Sequence, residues 1–123
     1  MQIKLHVLEQ PLAVCKLKDI SQLDLTGEFL FFSKTDEELS LVCPEKDLPE
    51  NTLVCEKGWK GMRIEGVLDF SLIGIISKIS AILAENSVGI FVVSTYNTDY
   101  ILVKEEQFAQ AKGALTEKGY IFD

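Results

Sequence analysis

The chain has 123 residues, of which 47% are hydrophobic and 25% are charged, and both values are ordinary for a folded globular protein. The net charge of −7 is shared by both halves, since residues 1–60 carry 7 Lys or Arg against 11 Asp or Glu and residues 61–123 carry 5 against 8. An acidic chain without a basic cluster binds phosphates poorly, so we expect no nucleic-acid partner and no membrane partner.

The cysteine count and the apolar patterning indicate the compartment. Cys15, Cys43 and Cys55 stand in apolar runs and form no CxxC pair. An odd number of cysteines argues against a disulfide framework, so we expect three reduced thiols that behave as small hydrophobes. The N-terminus lacks the apolar core of a signal peptide, and no apolar stretch approaches the ~18 residues of a membrane span. These features predict a cytoplasmic protein.

The first half of the chain is rich in strand patterns and poor in helix patterns. Strands are predicted at residues 2–8, 29–34, 39–44 and 53–56. The second and third of these flank a polar turn and predict a hairpin. Residues 12–25 have only a loose helical period, and residues 45–50 have room for one helical turn before Pro49.

The second half begins with a clearer alternation of strand and helix. Residues 62–69 alternate apolar and polar side chains as a strand does. Residues 72–86 place large apolar side chains at helical spacing, with Ser71 as a candidate N-cap. Gly89 is expected to end the turn after this helix. Residues 90–95 are apolar on both faces, which predicts a strand that is covered on both sides.

The remaining elements complete a recurring motif. A polar turn at residues 96–99 leads into a strand at 100–104, a helix at 106–118 and a short strand at 120–122. Gly119 has the position of a left-handed residue that ends the second helix. The order βαββαβ predicts a ferredoxin-like α+β fold, with an antiparallel sheet and helices on one face. The first half resembles a degenerate version of the same βαββαβ unit, so we expect two tandem units, at residues 1–60 and 61–123.

Several sequence strings carry a resemblance to a known family. They are GWKGMRIEG at residues 58–66, LDFSLIG at 68–74, STYNTDYILVK at 94–104 and TDEELSLVCP at 35–44. The chain resembles the ACT-domain family and, more narrowly, the small bacterial tandem-ACT proteins that are similar to the CASTOR arginine sensors of animals. Those animal sensors carry four ACT units in one chain and this chain would carry two, so we expect a homodimer.

The resemblance implies a regulatory protein that senses an amino acid and has no catalytic site. ACT units bind ligands where two of them meet, through the loop into the first helix and the start of the second strand. On this chain the corresponding positions are Asp69, Ser71, Leu72, Ile73 and Gly74 in the loop and Val88, Gly89 and Ile90 at the strand. The turn formed by Tyr96, Asn97, Thr98 and Asp99 lies near the signalling surface of the sensors and is a candidate ligand or partner contact.

Elementary chemistry is compatible with a ligand at the start of the first helix. A helix N-terminus offers unpaired N–H groups and a positive dipole end to an α-carboxylate, and Gly74 would let a ligand come close. An ordinary N-cap followed by a glycine for tight packing explains the same residues. Asp69 or Asp99 could accept a bond from an ammonium group, although an acid before a helix and an acid in a turn are both common structural features.

The sequence lacks the residue patterns that catalysis needs. His6 is the single histidine and has no evident Asp or Ser partner along the sequence. The sequence contains no Cys/His spacing typical of a metal site and no glycine-rich phosphate loop. We therefore expect no enzymatic activity, no metal and no cofactor. The alternative to an amino-acid sensor is a ligand-independent dimeric scaffold for protein interactions.

Overall fold

The computed structural model describes residues 3–65 and 74–123. In chain order the described elements are β1 (Lys4–Val7), β2 (Leu12–Leu17), β3 (Phe31–Lys34), β4 (Leu39–Pro44), a 3₁₀ turn (Glu45–Asp47), β5 (Thr52–Ile64), α1 (Ile75–Glu85), β6 (Phe91–Ser94), β7 (Asp99–Lys104), α2 (Glu105–Glu117) and β8 (Ile121–Phe122). The chain divides into two compact units. Gln10–Trp59 forms one, here called the inserted unit, and Met1–Glu9 with Lys60–Asp123 forms the other, here called the main unit.

The main unit has the predicted βαββαβ order, made by the end of β5, α1, β6, β7, α2 and β8. Its strands lie in the order β6-β7-β5-β1-β8. The first strand of the chain therefore sits between β5 and β8. Leu5 lies opposite Ile64 in the antiparallel pair with β5 and opposite Phe122 in the parallel pair with β8. The predicted division at residue 60 grouped β1 with residues 1–60. The pairing of β1 with β5 and β8 instead makes it part of the sheet formed by residues 60–123.

Both helices pack on one face of this sheet, as predicted. The buried core joins alternate residues of the strands to one stripe of each helix, and its members include Leu5, Met62, Ile64, Ile75, Ile79, Leu83, Ile101, Val103, Ala111 and Leu115. Each fully buried Leu or Ile side chain contributes about 1.5–3 kcal/mol through removal of apolar surface from water. In the described part of the chain, no helix has the length and apolar character that a membrane crossing requires.

The helix ends differ in part from the prediction. The described part of α1 begins at Ile75 with Gly74 as its N-cap, and the predicted N-cap Ser71 lies outside the described residues. At the other end, the left-handed position is occupied by Ser87, with φ of 60°, and not by Gly89. For α2, Gly119 takes the predicted left-handed conformation, with φ of 96°.

The prediction that β6 is covered on both sides is wrong. Along β6 the side chains alternate between half-buried and exposed, and Val92 is 37% exposed. Among the described strands, β6 pairs only with β7, so it is the edge strand of the main unit. An edge strand with one solvent-facing side keeps only the alternate residues buried, whatever the hydrophobicity of the others.

The inserted unit is a small sheet with strands in the order β3-β4-β2-β5, and its described residues contain no α-helix. The predicted hairpin is confirmed as β3 and β4, with Ser33 opposite Ser40. The loose helical pattern at residues 12–25 is misleading, because Leu12–Leu17 forms β2. The single turn expected at residues 45–50 is confirmed as Glu45–Asp47.

The two strands predicted at residues 53–56 and 62–69 belong largely to one strand. β5 has 13 residues and includes Gly58, which has a φ of 79°. The Gly58 N–H donates to Oε2 of Glu45 at 2.7 Å, which supports the irregular backbone at this point. Residues 66–69 of the predicted second strand lie outside the described residues.

Candidate functional site

The predicted ligand loop is described only at its last residue. Asp69, Ser71, Leu72 and Ile73 lie outside the described residues. Gly74 has a left-handed conformation with φ of 81°, and a side chain added there would meet no atom of the described residues within 4 Å. Within the described residues no side chain caps the start of α1, although the Lys78 N–H donates to the Gly74 carbonyl at 2.9 Å. Among the described residues, nothing crowds the start of α1, where the first backbone N–H groups of a helix have no partner within the helix itself.

The second group of predicted ligand residues lies at the other end of α1. Because α1 has 11 residues, about 16 Å of helix separates Gly74 from the loop that leads to Gly89. Val88 is 5% exposed and belongs to the core, and Ile90 packs against that core. Gly89 is exposed and faces open space. A free amino acid is much shorter than this helix, so one molecule cannot contact both Gly74 and Gly89 of the same chain.

The turn between β6 and β7 is held by hydrogen bonds from its threonines. The Thr98 hydroxyl is buried and donates to the Ile64 carbonyl at 2.6 Å, which ties the turn to the end of β5. The Thr95 hydroxyl donates to the Thr98 carbonyl at 3.0 Å, and the Thr95 N–H donates to the same oxygen at 2.8 Å. Thr98, one of the predicted contact residues, is thus a structural anchor of the turn.

The other residues of this turn differ in what they present to solvent. Tyr96 is fully exposed, and Asn97 is exposed beside it. The Asp99 carboxylate accepts a bond from the Ser94 hydroxyl across the hairpin. A fully exposed tyrosine leaves a large apolar area in water, and contact with a partner would bury that area. Tyr96 and Asn97 are therefore the two residues of this group with exposed side chains, and Tyr96 is the larger.

His6 has carboxylate partners that the sequence did not reveal. Its Nδ1 lies 2.9 Å from Oδ1 of Asp123 and 4.0 Å from Oε1 of Glu65. Arg63 donates to the same Glu65 oxygen at 3.1 Å. The pKa of Arg63 is raised, mainly by its hydrogen bond with Tyr100 and to a lesser extent by the bond with Glu65. One ligand atom each from His6, Glu65 and Asp123 lies within 4.8 Å of the others, so this cluster could hold a metal ion. The Arg63 guanidinium already forms an ion pair with Glu65, one of the two carboxylates of this cluster.

The inserted unit contains a cavity of about 250 Å³ that the sequence did not indicate. Its apolar lining includes Leu23, Leu30, Leu41 and Leu48, and its polar lining includes Gln22, Asp24, Lys46 and Asp47. The Asp24 carboxylate accepts bonds from the N–H and the hydroxyl of Thr26, and these bonds lower the pKa of Asp24. The walls come from irregular segments around residues 22–30 and 46–49, which have no periodic pattern that could have indicated a cavity.

A sequence model of the ACT domain matches residues 54–117, which is more than half of the chain. The chain belongs to the ACT-domain family. The match includes most of β5, both helices of the main unit, β6 and β7, and it confirms the resemblance to the ACT-domain family and the predicted α+β fold. No curated protein matches the sequence.

Solved structures extend the similarity beyond the matched segment. Protein Atu0741 from Agobacterium tumefaciens aligns with a TM-score of 0.88 and 28% identity, over 100% of this chain and 93% of that chain. The Vibrio cholerae protein VC0802, of unknown function, aligns with a TM-score of 0.74 and 19% identity, over 94% and 89% of the two chains. The regulatory subunit of aspartate kinase from Thermus thermophilus aligns with a TM-score of 0.65 and 8% identity, over 92% and 95%. The last two share the fold of the ACT protein.

Proposed function

We propose that this ACT protein is a non-catalytic regulatory protein that binds a small ligand, an amino acid, at an interface between ACT units. The observation that carries the proposal is the start of α1, where no described atom lies within 4 Å of a side chain added at Gly74 and no described side chain caps the helix. Such a helix N-terminus attracts an α-carboxylate through its N–H groups and its dipole. The fold shared with a regulatory subunit of aspartate kinase supports a regulatory role.

The separation of the candidate residues supports a site that two chains form together. Gly74 and Gly89 lie at opposite ends of a helix of about 16 Å, so a ligand that uses both groups must take them from different ACT units. A homodimer supplies a second copy of each group. The ligand carboxylate would bind at residues 71–74, and Asp69 or Asp99 would accept from its ammonium group. The reduced thiols favour a cytoplasmic location.

The proposal is tested by the effect of free amino acids on thermal unfolding of the full chain. A ligand that binds the folded state at a hundredfold excess over its Kd stabilises that state by ~2.7 kcal/mol, so the melting temperature rises. We expect one or a few of the twenty amino acids to raise it at millimolar concentration and to increase the dimer fraction in sedimentation. If no amino acid changes either quantity, the ligand class is wrong.

A pair of glycine variants separates binding at the proposed site from binding elsewhere. Both Gly89 and Gly113 have open space where a side chain would extend, and neither has a positive φ. Gly89→Val should abolish the ligand-induced shift, because the side chain fills the proposed contact at the start of the second ACT strand. Gly113→Ala, on α2, should preserve the shift. If the ligand raised the melting temperature of Gly89→Val as much as that of the wild type, the ligand would bind elsewhere, for instance in the cavity of the inserted unit.

The exposure of Tyr96 favours a second candidate function, a dimeric scaffold that acts without a ligand. Aromatic side chains dominate the binding energy of many protein interfaces, and Tyr96 is fully exposed on an anchored turn. For this function, Tyr96→Ala should weaken dimerisation at least tenfold in sedimentation equilibrium, and amino acids should have no effect on the wild type. Dimerisation that is unchanged by Tyr96→Ala would exclude this turn as the dimer contact.

A further inference from the structure

Two cysteines of the inserted unit face each other across neighbouring strands. Cys15 on β2 is the register partner of Cys55 on β5, and their sulfur atoms are 3.4 Å apart. Opposite residues of antiparallel strands have Cα atoms about 4.5–5.5 Å apart, and disulfides span Cα separations of about 4.4–6.8 Å. The register pairing is therefore compatible with the backbone spacing of a disulfide, and the two sulfur atoms already lie in contact.

The two thiols differ in their access to solvent. Cys15 is 4% exposed, whereas Cys55 is half-buried and follows Leu53 and Val54, which are 58% and 62% exposed. Burial, together with the hydrogen bond to Cys55, raises the pKa of Cys15 to about 12, so Cys15 stays protonated at neutral pH. A reagent in solution therefore meets Cys55 first, and Cys15 lies directly behind it.

The third cysteine provides a contrast within the same unit. Cys43 on β4 is 2% exposed and lies opposite Ala13 in the ladder, so its strand partner offers no sulfur. Burial raises the pKa of Cys43 to about 11. Among the described residues, only Cys15 and Cys55 have the thiol-to-thiol contact that an exchange reaction needs.

We propose that Cys15 and Cys55 are an oxidative modification site, a dithiol that exchanges with a small disulfide of the glutathione class to become an intrachain disulfide. In the first step the thiolate of Cys55 attacks one sulfur of the small disulfide, which releases one small thiolate and leaves a mixed disulfide on Cys55. In the second step Cys15 loses its proton and its thiolate attacks the Cys55 sulfur, so the Cys15–Cys55 bond forms as the bond to the small thiol breaks. The departing small thiolate takes up a proton. The two cysteines are oxidised, and one small disulfide is reduced to two small thiols.

The product would tie β2 to β5 covalently. The two cysteines are 40 residues apart in sequence, so the bond closes a long loop of the unfolded chain. A crosslink over a loop of this length restricts the unfolded state and raises stability when the native geometry accepts it. The oxidised protein should therefore melt at a higher temperature than the reduced protein, and a reducing agent should restore the original value.

The experiment uses oxidised glutathione on the folded full-length protein, followed by tryptic mapping. Each cysteine lies in its own tryptic peptide, at residues 5–16, 35–46 and 47–57. We expect the intact mass to fall by two hydrogens and a crosslink to join the peptides of Cys15 and Cys55, with the Cys43 peptide unmodified. The absence of this crosslink, or crosslinks in which Cys43 participates equally, would overturn the proposal.

Serine variants of the three cysteines provide matched controls. Cys43→Ser should form the crosslink as the wild type does, and Cys55→Ser should form none. Cys15→Ser should stop at the first step and keep one glutathione on Cys55. Glutathione found on Cys43 instead of Cys55 in the Cys15→Ser protein would contradict the proposed order of attack.

Discussion

Thr98, which is 8% exposed, connects the β6–β7 turn to the end of β5, because its hydroxyl donates to the Ile64 carbonyl at 2.6 Å. Thr98→Val keeps the shape of the side chain and leaves the Ile64 carbonyl without this donor. A buried acceptor that loses its partner costs about 1–3 kcal/mol, so we expect a loss of this size in the free energy of unfolding. Urea denaturation followed by circular dichroism measures it.

The matched control for this prediction is Thr116→Val on the exposed side of α2. The same change of atoms at an exposed helix position should alter the free energy of unfolding by less than about 0.5 kcal/mol. Equal effects of the two substitutions would show that the bond between Thr98 and Ile64 does not stabilise the fold.

Cys43 is expected to make stability depend on alkaline pH. Burial and the negative charge of Asp47 raise the pKa of its thiol from 9.0 to about 11. Above pH 9 the unfolded chain loses the thiol proton while the folded chain retains it, so this contribution to stability is present below pH 9 and is lost between pH 9 and about 11. Denaturation curves should therefore show a smaller decline across this window for Cys43→Ala than for the wild type. Parallel declines would contradict the raised pKa.

At the scale of the element, the two helices end in the same way with different residues. After α1 the N–H groups of Ser87 and Val88 donate to the carbonyls of Ala84 and Leu83. After α2 the N–H groups of Gly119 and Tyr120 donate to Thr116 and Leu115. Both are Schellman motifs, which place a left-handed residue directly after the cap. Gly119 suits this position, and Ser87 is strained there because it carries a Cβ.

This comparison predicts opposite effects for two substitutions. Ser87→Gly should raise the free energy of unfolding by about 1 kcal/mol, because glycine adopts the left-handed conformation without strain. Gly119→Ala should lower it by about 1 kcal/mol for the same reason. Thermal or chemical denaturation measures both changes. A destabilised Ser87→Gly protein would mean that the serine contributes more through its contacts than it costs in strain.

At the scale of the whole molecule, the main unit requires the first residues of the chain. β1 lies between β5 and β8, and the Leu8 N–H donates to the Gly61 carbonyl at 2.9 Å. Residues 60–123 alone would lose the middle of this sheet and should fail to fold cooperatively. Residues 1–9 joined to 60–123 by a two-residue Asn-Gly hairpin turn should fold with both helices, because such a turn connects adjacent antiparallel strands.

Circular dichroism and the cooperativity of thermal unfolding distinguish these two shortened chains. A sharp transition for residues 60–123 alone would contradict the essential position of β1. The absence of a transition in the hairpin-joined chain would show that the main unit also depends on the inserted unit for its stability.

The periodic patterns of the sequence predicted the elements that local spacing encodes. Apolar side chains four residues apart specified α1 and α2, because residues at this spacing share one face of a helix. The βαββαβ order and the end of α2 at Gly119 were also predictable, and the ACT match confirms the family. The loose period at residues 12–25 failed, since Leu12–Leu17 is a strand whose partners lie far along the chain.

For the candidate site, the family resemblance and the position of each glycine at an end of α1 indicated Gly74 and Gly89. Their contribution to a ligand site stays a prediction. The anchoring role of Thr98 and the partners of His6 depend on strand register, which brings together residues 34 and 117 positions apart. The same holds for the contact between Cys15 and Cys55 and for the place of β1 beside β8. Local spacing determines helices and turns because their contacts are a few residues long. Only the folded sheet decides contacts between distant strands, because their pairing leaves no periodic trace in either segment.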